Sequence, residues 1–146
     1  MSFHPVPEAH TGTTFAQRAA ARLAVAAARP LLLLSPARLG RFLRLVARGA
    51  RPAGHDRTYR ARQAVTTVSA VCAGREGCLP RSVATALLCR ARGEWPTWCV
   101  GVRAAPPFGA HAWVEAEGLL VGEELPESYF RVLISVGPRT EERSRP

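Results

Sequence analysis

The chain has 146 residues, about one domain, and that length buries a core without disulfide staples. Its formal net charge of +9 comes from twenty basic side chains, all arginine, against eleven acidic ones, of which Asp56 is the only aspartate. The four cysteines, Cys72, Cys78, Cys89 and Cys99, contain no C-x-x-C pair, which argues against zinc and against a redox dithiol, so no metal or cofactor is expected.

In chain order, Met1 to Gly12 is polar and holds Pro5, Pro7 and Glu8 in place of a charged start followed by an apolar run. It does not read as a secretion signal, so a cytoplasmic protein is expected. Thr14 to Arg29 reads as a helix with Phe15, Ala19, Leu23 and Ala26 or Ala27 inward and Pro30 as its end. The most apolar stretch, Leu23 to Pro36, is broken by Arg29 and Pro30 and is too short for a membrane span. Ser35-Pro36 is a cap followed by a first-turn proline, opening a second helix with the stripe Leu39, Leu43, Val46 and a stop at Gly49.

Ala50 to His55, with Pro52 and Gly54, reads as a linker that divides the chain into a basic helical docking region, 1–55, and a core, 56–146. Residues 1–75 hold twelve Arg against Glu8 and Asp56, and residues 76–146 hold eight Arg against nine Glu. The basic half is therefore not the half that carries the chemistry. Arg38, Arg41, Arg44 and Arg48 recur on one helical face without Lys or interleaved aromatics. That pattern suits a solvated face or a dock for an acidic protein or peptide better than a nucleic-acid surface, so no nucleic-acid partner is expected.

A third helix is predicted from Asp56, as N-cap, to Cys72, with Ala61, Val65, Val68 and Val71 or Cys72 inward and Gly74 at its end. The fourth, between Gly77 and Gly93, has the stripe Leu79, Val83, Leu87, and Pro80 is tolerated only in a first turn. Cys78 then lies at a helix N-terminus. Unpaired N–H groups and the positive dipole end favour thiolate there and can bring a cysteine pKa from about 8.5 to between about 3.5 and 7.5. Cys89 lies deeper in the same helix and Cys72 near a helix C-terminus, so both read, with Cys99, as packing.

Trp98 to Val102 reads as a central strand, and the loop Ala104 to Ala110 leads into another from His111. In that strand His111, Trp113 and Glu115 share one face, and Ala112, Val114 and Ala116 share the other, the core side. A base next to a helix-start cysteine is the requirement for thiol nucleophilic catalysis, as in papain-like or transglutaminase-like sites. The third group depends on the hairpin. A three-residue loop, Ala116-Glu117-Gly118, sets Glu123 opposite His111, and a two-residue loop sets Glu124 there. The longer loop is favoured because the shorter one forces Glu117 to positive φ, which selects Glu123. The tail Gly137 to Pro146 is polar and expected to fray.

The runs Cys78-Leu79-Pro80-Arg81-Ser82, Trp95-Pro96-Thr97-Trp98-Cys99-Val100-Gly101-Val102-Arg103 and Ala110-His111-Ala112-Trp113-Val114-Glu115, with Gly118 and Gly122-Glu123 after them, resemble the stand-alone leader peptidase of lasso-peptide biosynthesis. That family is the protease half of a split B-protein and is transglutaminase-like. The resemblance is specific from about Cys72 to Glu123. It implies an α+β fold, a papain/transglutaminase-like core with a nucleophile helix packed on a small antiparallel sheet, behind an N-terminal helical region. It also implies Cys78 as nucleophile, His111 as general base and acid, and Glu123 in a place commonly held by Asp. Implied partners are the precursor's leader, a separate recognition protein and possibly the cyclase, since the chain is too short to hold the recognition domain as well. Trp98, Phe108 and Trp113 are candidates for the peptide groove, with core packing as the open alternative. Other papain-like amide transfer or deamidation, and a basic adaptor or nucleic-acid binder carried by Arg38 to Arg62, are the competing classes.

Overall fold

The computed structural model describes residues 13–138; the expectations for Met1 to Gly12 and for the tail past Pro138 lie outside them. Helix α1, Phe15–Leu31, starts with a capping box in which Thr14 and Gln17 bond reciprocally. Its buried face is Ala21, Ala24, Val25 and Ala28, whereas Phe15 and Leu23 are 76% and 73% exposed. The predicted stripe is thus corrected. α1 packs broadside on two other helices, and small side chains allow that approach where Phe and Leu would hold the axes apart. Pro30 lies inside the last turn instead of ending the helix.

Helix α2, Pro36–Ala47, is capped by Ser35 and buries Leu39, Gly40, Leu43 and Ala47. The next segment is stitched to the core: strand β1, Arg51–Pro52, pairs in parallel with β2, Glu94–Trp95. The third predicted helix is two. α3, His55–Val68, starts from Gly54 in place of Asp56, and Ser69 breaks to extended backbone and caps α4, Ala70–Ala73, by accepting from the Cys72 N–H at 3.2 Å. A side chain that bonds backbone locally competes with the helix it interrupts. The turn exposes Val71 and keeps Cys72 buried.

Helix α5, Cys78–Ala91, buries Ser82 through Ala86, then Leu88 and Cys89, far more than one stripe, because α1, α3 and the sheet surround it. The four-stranded antiparallel sheet runs β5-β4-β3-β6, with β3 Thr97–Arg103, β4 Ala110–Ala116, β5 Leu119–Leu120 and β6 Phe130–Val136. β6 has no counterpart in the sequence reading. One hydrophobic cluster joins Ala21 and Leu43 of the front helices with Val83, Trp95, Trp98, Val114 and Val136, so residues on both sides of position 55 share a core. Within it the Trp95 indole N–H donates to the Val136 carbonyl at 3.0 Å. Among the described residues no helix is long and apolar enough to cross a membrane.

Candidate active site

The connection from α4 to α5 fixes where the thiol stands. Gly77 is the N-cap of α5, and a Cβ there would lie 1.9 Å from the Val71 carbonyl oxygen, so only glycine lets the two short turns close. Arg81 ties the connection from below, donating to the Cys72 carbonyl at 2.8 Å and the Gly74 carbonyl at 3.2 Å. Cys78 is the first helical residue, partly exposed, and Pro80 occupies the first turn, where its missing N–H costs no helical bond.

β4 brings the histidine to it. His111 is 7% exposed and pairs across the sheet with Gly101. Its Nε2 lies 2.9 Å from Glu123 Oε2, which leaves Nδ1 for the sulfur, and the Ala112 backbone N–H also donates to Cys78. The hydrogen bond with His111 lowers the Cys78 pKa below its ordinary 9.0; burial opposes this, and the Ala112 N–H and the charges of His111 and Arg81 add to the lowering. His111 in turn is raised from 6.5 to about 9, first by its bond with Cys78 and then by Glu123, with burial opposing. The pair is thus biased toward thiolate and imidazolium, with a buried carboxylate behind the ring. That arrangement has the groups that thiol nucleophilic catalysis requires.

The hairpin that delivers Glu123 differs from the expected one. Ala116 pairs with Leu119 and Glu115 with Leu120, so the loop is the two-residue turn Glu117-Gly118 with φ of 55° and 75°. The three-residue loop is corrected. Glu117 accepts the left-handed region because its carboxylate takes the His55 N–H at 3.3 Å, while the His55 ring reaches the Leu120 carbonyl at 3.2 Å. This register, continued, would put Glu124 opposite His111. It does not continue: after the Val121 N–H bonds the Val114 carbonyl at 3.0 Å, Gly122 turns at φ 69° and the chain leaves the ladder. Glu123 reaches the imidazole from that departure.

Of the three groove candidates, Trp98 and Trp113 are buried. The Trp98 indole donates to Ser82 Oγ at 3.1 Å and the Trp113 indole to Glu115 Oε1 at 3.1 Å. Neither presents a ring face to a peptide, which corrects their placement in the groove in favour of packing. Phe108 is 72% exposed in the loop before β4. Cys72, Cys89 and Cys99 are buried, and burial pushes the Cys89 thiol up to about 11, the reverse of Cys78. Phe130, which the sequence reading passed over, stacks on His111 with ring centroids 5.1 Å apart. Its signal was the alternation Phe130-Arg131-Val132, the opening of an unassigned strand.

A partly exposed thiol at a helix N-terminus, a histidine on the adjoining antiparallel sheet and a carboxylate beyond it define the papain-like class, whose chemistry is cysteine proteolysis or acyl transfer. Within that class the chain belongs to the transglutaminase-like superfamily, whose sequence profile matches residues 21–135, from within α1 into β6. No curated protein and no solved structure gives a match.

Proposed function

We propose that this protein is a cysteine peptidase that removes the leader from a lasso-peptide precursor, acting with a separate leader-recognition protein and ahead of a cyclase. The observation that carries the reading is the approach of Cys78, His111 and Glu123 within motif runs that resemble that peptidase. The Cys78 thiolate attacks the carbonyl at the leader-core junction. The Cys78 N–H, at a helix position with no intrahelical acceptor, faces the oxyanion. His111 gives its proton to the leaving core amine, then takes one from the water that releases the leader, while Glu123 holds its tautomer and ring plane.

The front helices supply a surface for the partners. From 13 to 55 there is no acidic residue, and Arg18, Arg22, Arg29, Arg38, Arg41, Arg44 and Arg48 are all exposed. An acidic leader or an acidic face of the recognition protein complements that surface and is steered to it at low salt. Mass analysis of the precursor incubated with this protein and the recognition protein tests the proposal. The expected products are free leader acid and core, and none with Cys78→Ala, which should still fold and bind its partners. Cleavage by Cys78→Ala refutes the nucleophile, and a leader joined to an added amine would reassign the reaction to acyl transfer.

A further inference from the structure

The geometry points to Phe130 as the positioning residue of His111: its ring, carried by edge strand β6 across the gap at Gly101, lies parallel to the imidazole and holds it in the plane that joins Cys78 to Glu123. The inference rests on the reading of Cys78 and His111 as the reacting pair. Nothing in the acyl-transfer steps requires an aromatic group at this place.

The two bonds of the imidazole, to Cys78 and to Glu123, fix its tautomer and hold the two nitrogens at its edge, and neither packs against a face of the ring. A parallel ring does. Phe130 and Trp113 each lie at 17° to His111, with centroids 5.1 Å and 5.8 Å away, and are themselves 4.9 Å apart. Trp113 is anchored by its bond to Glu115, so Phe130 packs on a fixed neighbour.

The sheet is built to allow this. Gly101 pairs with His111 on one side and with Val132 on the other, and the β3–β6 register slips between Val100 and Gly101. A Cβ at Gly101 would lie 2.0 Å from the Arg131 carbonyl oxygen and 3.1 Å from the Trp113 ring. The glycine therefore admits β6 and leaves room for the aromatic cluster between the two strands. A π face stacked within about 6 Å of an imidazolium also favours the protonated ring.

The charged groups around His111 come from several elements. Cys78 and Arg81 are on α5, and Glu123 follows β5, with Arg62 of α3 against the adjoining Gly122. Glu115 is on β4, and Arg103 of β3 pairs with Phe130 itself. A substitution at Phe130 leaves every one of them in the chain, so a change in His111 titration reports the ring.

The test is the pH profile of Cys78 alkylation by iodoacetate, whose carboxylate is drawn to an imidazolium and loses that attraction as His111 deprotonates. The native upper limb is expected near the His111 value of about 9. Phe130→Leu should move it down by about half a unit, and Phe130→Tyr should restore it. Phe130→Met, which keeps apolar volume without a flat face, should move the limb as leucine does and decides the matter if the leucine variant does not fold. A flexible-side-chain variant whose limb stays at the native value, or a tyrosine variant displaced as far as leucine, overturns the positioning role alone. A native profile with no upper limb overturns that role and the reacting pair together.

Discussion

Glu123→Gln keeps the shape of the group bonded to His111 and removes its charge, so it isolates what the carboxylate does. The rise of His111 from 6.5 to about 9 corresponds to about 3 kcal/mol of preference for the protonated ring. Cys78 is the largest contributor and Glu123 the second, and both side chains of the His111–Glu123 pair are about one-tenth exposed, so solvent screens little of it. Glu123 thus accounts for a share of that preference, on the order of 1 kcal/mol. In the variant the His111 Hε1 resonance, identified by its absence from a His111→Gln spectrum, should titrate below the native value of about 9. Because the folded value lies above the unfolded one, the associated stability is fully present below about 6.5 and is lost as pH rises through about 9. Glu123→Gln should therefore cost about 1 kcal/mol more in urea unfolding at pH 6 than at pH 10. Turnover should fall by roughly 10² to 10⁴, as when a triad loses its orienter. A midpoint that stays at the native value would refute the electrostatic role assigned to Glu123.

Two further outcomes follow from the ground around the thiol. Gly77→Ala pushes a methyl group into the Val71 carbonyl, a backbone atom that cannot swing aside, so it should lower stability by more than about 2 kcal/mol in urea unfolding and slow Cys78 alkylation by displacing the helix start; native stability would contradict the close approach. Brief treatment with iodoacetamide at neutral pH, followed by peptide mass mapping, should label Cys78 alone, since Cys72, Cys89 and Cys99 are buried and Cys89 is held near about 11; a label on Cys89 before Cys78 would count against the site.

Much of this site was legible because it depends on short-range rules. A proline two residues after Cys78 is compatible only with a helix start, and alternation along β4 separates His111 from Ala112 whatever else the chain does. The parts that were not legible depend on partners distant in sequence. The stripe of α1 is read wrongly by hydrophobicity alone because its neighbours demand small side chains, and that demand comes from α3 and α5. Phe130 gains its place over His111 from a register slip opposite Gly101, and a glycine inside a strand signals a close approach without naming what approaches.

The hairpin shows the same limit more sharply, because Glu123 was reached from a premise that the turn contradicts. Positive φ is costly for Glu on local grounds, and at Glu117 the His55 N–H, sixty-two residues upstream, offsets that cost. With the shorter loop, strict pairing would have delivered Glu124 to the histidine. What restores Glu123 is Gly122, whose missing side chain leaves the space taken by Arg62: a Cβ there would lie 2.6 Å from the guanidinium Nε. The turn at Gly122 and the seat of Arg62 on α3 are therefore one packing event, and that event, more than the ladder, determines which of two adjacent glutamates meets the imidazole.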